Sequence, residues 1–301
     1  ILGTATGFAA ATLNPFTIGI AQGIAELPIG SGIGLRIICF IVFQGTAIIY
    51  LMLYARKVRR HPELSIVKDV KFNFSNGMNR EEMEKLPFNG KHKLIMMLFV
   101  VTIVLLVYGT SQLGWYLNEL STLFFIMMII TGLVGGYNFS QIASLFIESV
   151  SDVIFGALAV GVARSLTIVM ENGHIIDTII NFMANTLATM PKTVAAIGMV
   201  VVQNFINFFI PSGSGQAATS MPIMAPLADA IGLTRQTAVL AFQFGDGFSN
   251  MFWPTSAATV CGLMSLPIEK WYRFITPLFL FMFLLQVVFM VIAVAINYGP
   301  F

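Results

Sequence analysis

Charged residues are concentrated in one stretch of this chain, and that distribution limits what it can fold into. Residues 56–93 carry ten of the 16 Lys and Arg residues and five of the 14 Asp and Glu residues. Soluble domains are about 25% charged, whereas this chain is 10% charged and 57% hydrophobic. The sequence therefore predicts an all-α membrane protein with several spans. It excludes a soluble enzyme, a disordered chain and a disulfide scaffold.

The basic stretch also predicts how the chain crosses the membrane. Lys and Arg are enriched in the cytoplasmic loops of membrane proteins, so residues 57–93 are expected to lie in the cytoplasm. Because membrane topology explains this charge, it does not indicate a nucleic acid partner. The apolar stretches 33–55 and 94–113 flank the loop, and each is long enough for a helical span.

Two apolar segments are interrupted near their middle by polar residues and a proline. Residues 1–29 contain Asn14-Pro15-Phe16-Thr17, and residues 236–268 contain a polar stretch from Asn250 to Ser256 that includes Pro254. Proline lacks the amide hydrogen that continues a helix, so each segment is predicted to be a helix broken within the membrane. A packed kink without contact to a ligand is the alternative for both.

A third segment, residues 193–231, has two apolar limbs separated by Pro211-Ser212-Gly213-Ser214-Gly215-Gln216. Irregular backbone at membrane depth is tolerated only beside protein or a water-filled cavity. The segment is therefore predicted to be a re-entrant hairpin with its tip at a binding site. A simple tight turn is the alternative.

Two parts of the chain match each other in residue order and spacing. The matching residues are Gly7-Phe8, Pro15 and Leu27-Pro28-Ile29 in the first copy, and Gly247-Phe248, Pro254 and Leu266-Pro267-Ile268 in the second. The predicted topology gives the two copies opposite orientations, which is typical of transporters with inverted repeats and a substrate site at paired helix breaks. Chance matching of common residues is the alternative.

The repeat divides the chain into three predicted parts. Residues 1–56 would be the C-terminal part of a first repeat, residues 57–93 a cytoplasmic linker, and residues 94–301 a second repeat that ends in a span at 271–297. Because spans and a hairpin precede the second copy, symmetry predicts a comparable segment before residue 1. The expected fold is an all-α inverted-repeat secondary transporter whose N-terminal part is missing from this sequence.

Three motifs resemble those of a known transporter family. They are Asn14 through Gln22, Pro211 through Gln216, and Phe244-Gly245-Asp246-Gly247-Phe248-Ser249-Asn250. They resemble the C4-dicarboxylate anaerobic carrier family of the ion-transporter superfamily, in its YfcC-like branch, which is also similar to arginine/ornithine antiporters. The resemblance implies a multi-pass secondary transporter of the bacterial inner membrane, built from a hairpin and a broken helix in each half. It further implies a homodimer and an elevator-like motion.

The interruptions and the hairpin tip supply the predicted substrate-binding residues. Helix N-termini and freed amides suit a carboxylate, and carbonyl groups at opposing helix C-termini suit Na⁺. The candidates are Asn14, Pro15, Thr17, Ser212, Gly213, Ser214, Gly215, Gln216, Asn250, Thr255 and Ser256.

Asp246 is the predicted ion-coupling residue. An ionisable side chain inside a span is costly and marks a functional site by default. Asp246 could ligate a cation, carry a proton or meet a basic substrate, whereas a salt bridge or a helix cap would be a structural role. Na⁺ near Asp246 and Asn250, or H⁺, is the expected coupling ion, with no other metal or cofactor. Asn207 could reach this site or pack, and Arg164 is expected to pair with a nearby acidic residue.

The sequence thus favours a secondary active transporter of small carboxylate-bearing metabolites. Exchange of a basic amino acid and uptake or exchange of a C4-dicarboxylate both remain open. A passive channel for small organic ions is the alternative, although polar residues are confined to the breaks and the tip. An enzyme is not expected, because no histidine lies at a depth matching Ser214 and no hydrolase or nucleotide-binding motif is present.

Overall fold

Helices form all the regular secondary structure in the part of the chain that the computed structural model describes, residues 2–70, 88–115, 117–264 and 266–299. Five of these helices are long and apolar enough to cross a membrane, namely Ile33–Arg60, Gly90–Gly109, Asn118–Gly135, Lys192–Phe209 and Ile268–Ala295. This confirms the predicted all-α membrane class. The inverted repeat and the membrane depth of the hairpin stay predictions.

Twelve α-helices are used below, numbered in chain order. The first three are α1 (Leu2–Ala9), α2 (Ile20–Ile24), which continues a π-helical turn at Pro15–Gly19, and α3 (Ile33–Arg60). The next four are α4 (Gly90–Gln112), α5 (Leu117–Gly135), α6 (Phe139–Asn172) and α7 (Ile175–Ala188). The last five are α8 (Lys192–Phe209), α9 (Gly213–Ala230), α10 (Arg235–Ser249), α11 (Pro254–Leu263) and α12 (Ile268–Ala295).

The chain forms two compact units, and each is considered by itself. The larger unit comprises residues 1–70 and 155–301, and the smaller comprises residues 71–154. In the smaller unit Gly132 of α5 lies against Ile142 of α6, where an added Cβ would be 2.8 Å from the Ile142 side chain. The predicted division at residues 56–57 and 93–94 into repeats and a linker stays a prediction.

Helix α10 is the most enclosed element of the larger unit. Every residue from Gln236 to Ser249 is buried. Two glycines let neighbouring backbones approach it closely, because an added Cβ would lie 2.9 Å from the Asn204 nitrogen at Gly245 and 2.4 Å from the Ala9 Cα at Gly247. Helix α10 is therefore held between α8 and the end of α1.

The first broken segment runs antiparallel to α10. Ala9 lies against Gly247, whereas the Gln22 Nε2 lies 3.4 Å from the Gln236 Oε1, near the other end of α10. Between these contacts the Gln243 Nε2 donates to the carbonyl of Phe8 (2.8 Å), which helps to satisfy the backbone where α1 ends.

A buried arginine fixes this arrangement at the first turn of α10. The Arg36 guanidinium donates to the Gln236 Oε1 (3.1 Å) and to the carbonyl of Ser31 (3.0 Å). The Gln22 Nε2 also donates to the Ser31 carbonyl (2.9 Å). Only 1% of Arg36 is exposed, so amide and carbonyl oxygens replace the water that such a charge needs.

Candidate functional site

Three segments that are distant in sequence converge at Gly213, the first residue of α9. A Cβ added to Gly213 would lie 2.5 Å from the Cγ2 of Thr17 and 3.0 Å from the Oδ2 of Asp246. The hairpin, the first interruption and α10 therefore meet at one point. A glycine is needed there because any larger residue would displace one of the other two side chains.

Asp246 presents only one of its carboxylate oxygens to the hydrogen bonds of the protein. The Asn207 Nδ2 donates to its Oδ1 (2.8 Å), and its Oδ2 is buried without a partner. The residue is fully buried, and none of the described Lys, Arg or His side chains forms an ion pair with it. An uncompensated buried carboxylate costs several kcal/mol or more, so its position favours a functional role.

A chain of carboxamides holds Asp246 in place. The Asn207 Nδ2 also donates to the Gln216 Oε1 (3.0 Å), and the Gln216 Nε2 donates to the Gln203 Oε1 (2.7 Å) and carbonyl (2.9 Å). The Ser220 hydroxyl is hydrogen-bonded to the Gln203 side chain as well (3.0 Å). These bonds join the two limbs of the hairpin and connect them to α10.

The whole carboxamide of Gln216 is hydrogen-bonded between the limbs of the hairpin. Its predicted role in substrate binding stays a prediction. Gln203 and Ser220 were not identified from the sequence, and Asn207 was left open between packing and the site. The i, i+4 pairs Gln203/Asn207 and Gln216/Ser220 were the available signal, because such spacing puts polar residues on one face of a helix.

The tip of the hairpin is shorter than the polar motif. Ser212 is the N-cap of α9, and its Oγ accepts from the Gly215 amide (3.3 Å). Gly213, Ser214 and Gly215 therefore form the first helical turn, where the helix dipole is positive. This end of the 18-residue helix can bind an anionic group.

The first interruption is capped by its own asparagine. The Asn14 Oδ1 accepts from the Phe16 amide (2.9 Å), and Pro15 occupies the first helical position after it. Thr17 follows within the π-helical turn, is 1% exposed, and has an Oγ1 without a hydrogen-bond partner. Of these predicted residues, Thr17 is the one that the structure brings to Gly213.

Asn250 makes two local hydrogen bonds in the second interruption. The Asn250 Nδ2 donates to the carbonyl of Asp246 (2.9 Å), and its Oδ1 accepts from the Ser256 hydroxyl (3.0 Å). Asn250 thus contacts the backbone of Asp246 in these bonds. The Thr255 Oγ1 is buried without a partner. The expected pairing of Arg164 lies outside the side chains that the structure describes.

Comparison with known proteins establishes the family. The family model of the C4-dicarboxylate anaerobic carriers matches residues 1–295. The chain therefore belongs to this family of membrane carriers, which confirms the resemblance seen in its motifs.

Two relatives cover nearly all of the chain. One is YfcC of Escherichia coli (strain K12), described provisionally as a basic amino acid antiporter, with 34% identity over 99% of this chain and 61% of that protein. The other is an uncharacterized protein of Haemophilus influenzae, with 31% identity over 98% of this chain and 58% of that protein. The chain thus spans about 60% of the length of these relatives.

One solved structure is similar at a lower level. The YdaH transporter of Alcanivorax borkumensis matches 99% of this chain and 72% of that chain, with 16% sequence identity and a TM-score of 0.46.

Proposed function

We propose that this chain belongs to a secondary active transporter for small carboxylate-bearing metabolites. The observation that carries the proposal is the convergence of Thr17, Gly213 and Asp246 from three interrupted or hairpin segments. Paired helix ends in the interior of a membrane bundle are a typical site for a solute and its coupling ion. The first turn of α9 would receive the substrate carboxylate, and Asp246 would bind the coupling ion.

The substrate proposal covers two classes that share a carboxylate. The family name refers to C4-dicarboxylates, and the name of the Escherichia coli relative refers to basic amino acids. Asp246 suits either the cationic group of a basic amino acid or an ion that accompanies a dicarboxylate. The transporter would accordingly work by exchange of a basic amino acid, or by uptake or exchange of a C4-dicarboxylate.

The remaining substrate-site residues are proposed with different roles. Asn14, Ser212, Asn250 and Ser256 would shape the helix ends, because their side chains already hydrogen-bond there. Thr255 has a free hydroxyl oxygen and would face the solute.

The setting of the transporter follows from the family and the charge pattern. We place it in the bacterial inner membrane as a homodimer, with residues 57–93 in the cytoplasm. The basic residues at the end of α3, Lys57, Arg59 and Arg60, support that orientation. A cysteine introduced at the exposed His61 should react with an impermeant reagent only after the cells are opened. Labelling of this cysteine in intact cells would contradict the orientation.

Uptake into proteoliposomes tests the function. The full-length protein that contains this chain should accumulate radiolabelled arginine, ornithine, succinate or malate in a saturable manner. Accumulation should require a Na⁺ gradient, a pH gradient or an internal counter-substrate. Flux that rises linearly with concentration and depends on neither gradient nor on counter-substrate would instead indicate the passive channel. The absence of flux for all of these solutes would contradict both the transporter and the channel.

A further inference from the structure

Three buried oxygen atoms on residues around Gly213 and Asp246 have no hydrogen-bond partner. They are the Oγ1 of Thr17, the Oδ1 of Asn207 and the Oδ2 of Asp246. Each of these residues is at most 1% exposed. Thr17 and Asp246 both lie beside Gly213, and Asn207 is hydrogen-bonded to Asp246. Native proteins satisfy nearly all buried polar atoms, so three unsatisfied oxygens on these neighbouring residues point to a ligand that completes them.

The hydrogen-bonding pattern defines the charge of that ligand. Both hydrogens of the Asn207 amide are already used, one on the Asp246 Oδ1 and one on the Gln216 Oε1. Its Oδ1 can therefore only accept, and so can an ionised Asp246 Oδ2. With one carboxylate and neutral oxygens around it, the site calls for a cation of a single charge.

The available space limits the size of the cation. Gly213 lies so close to Thr17 and Asp246 that one added carbon would fall within 3.0 Å of atoms of both. A single-atom ion needs less of this space than an ammonium or guanidinium group on a carbon chain. Ca²⁺ takes six to eight oxygen ligands, often several of them carboxylates, whereas this site offers one carboxylate.

We propose that Thr17 Oγ1, Asn207 Oδ1 and Asp246 Oδ2 form a Na⁺ site. The ion would offset the cost of burying Asp246 and would connect the first interruption to the start of α9. It would thereby hold together the helix end that receives the substrate carboxylate. This assignment deepens the proposed transport function and rests on it for the role of the ion, but the binding itself can be measured without transport.

Thermal unfolding of the full-length, substrate-free protein in detergent tests the site. NaCl should replace choline chloride at constant ionic strength, with KCl as the ion control. We expect the Tm to rise saturably with Na⁺, because a ligand bound only to the folded state stabilises it by mass action. Asp246→Asn should abolish the rise, and Asp229→Asn, which alters an exposed ion pair with Arg235, should keep it.

Substitutions of Thr17 give a second reading that does not depend on charge. Thr17→Val removes the hydroxyl at nearly constant volume and should raise the apparent Kd for Na⁺ about tenfold, the equivalent of ~1.4 kcal/mol. Thr17→Ser keeps the oxygen and should restore most of the affinity. Thr46→Val is the matched control, because the Thr46 hydroxyl is bonded to the Val42 carbonyl in α3.

Several results would overturn the assignment. They are a wild-type Tm that does not change with Na⁺, a full rise in Tm with Na⁺ in Asp246→Asn, and a wild-type Tm that rises with arginine but not with Na⁺. A stabilisation that follows pH and ignores Na⁺ would assign Asp246 to a proton and would also overturn it. Uptake without a Na⁺-dependent rise in Tm would contradict the Na⁺ site and support the transport function. A Na⁺-dependent rise in Tm without any uptake would support the Na⁺ site and contradict the transport function.

Discussion

At the scale of single residues, the hydrogen-bond partner of Asp246 matters as much as the carboxylate itself. Asn207 is the only described residue that donates to this side chain, and it also holds Gln216. A carboxamide can do both because its nitrogen carries two hydrogens. Asn207 thus positions Asp246 with one oxygen fixed and the other directed toward Gly213.

Replacement of Asn207 by alanine should therefore destabilise the protein. The change leaves the Asp246 Oδ1 and the Gln216 Oε1 buried without a donor, and an unsatisfied buried group costs about 1–3 kcal/mol. We expect a lower Tm by thermal unfolding in detergent. Asn181→Ala is the matched control, because the Asn181 amide is exposed and bonds only the Asp177 carbonyl. Equal Tm values for the two variants would contradict the role of Asn207.

Sequence reasoning selected three residues that the structure brings together at the candidate site, but it did not predict the hydrogen bonds around them. Thr17, Gly213 and Asp246 stood out because polar residues and glycine are conspicuous in apolar segments. Gln216 is also a polar residue in an apolar segment, but its carboxamide is hydrogen-bonded to Gln203 and Asn207. Which polar side chain faces a partner and which faces a ligand depends on the packing of separate helices, and no local pattern contains that information.

At the scale of elements, α10 carries the site and must be enclosed closely on two sides. Gly245 and Gly247 flank Asp246, and they allow α8 and α1 to approach the backbone of α10. The predicted limbs of the hairpin, 193–210 and 217–231, compare with helices at Lys192–Phe209 and Gly213–Ala230. The second limb starts earlier than expected because Ser212 caps it and draws Gly213 through Gln216 into the helix.

Gly247→Ala should disrupt the contact between α10 and α1. The new methyl group would lie 2.4 Å from the Cα of Ala9, which is backbone and has to move as a whole. Overpacking of this kind costs typically about 1–3 kcal/mol, so we expect a clear fall in Tm. Gly23→Ala in α2 is the control, because an added Cβ there has nothing within 4 Å. A Gly247→Ala protein as stable as the control would show that α1 does not pack here.

In the whole molecule, several buried polar residues of the larger unit lie on or against one buried helix, α10. Asp246 lies near the end of α10, and Arg36 lies against its first turn through Gln236. The first broken segment runs antiparallel to α10, and the inverted repeat stays a prediction. The repeat is predicted from matching residue order, proline spacing and the opposite orientations of the two copies. This chain covers about 60% of the length of its relatives.

The proposed transport site at Gly213 is formed by the first interruption, the hairpin and α10. The most direct measurement is proteoliposome uptake by the full-length Gly213→Ala protein, compared with Gly34→Ala, whose added Cβ has nothing within 4 Å. The methyl group that Gly213→Ala adds would displace Thr17 or Asp246. We therefore expect uptake to fall at least about tenfold, a loss of ~1.4 kcal/mol. Gly34→Ala should keep wild-type uptake, and both proteins should elute as folded species in size-exclusion chromatography. Wild-type uptake by a folded Gly213→Ala protein would contradict the claim.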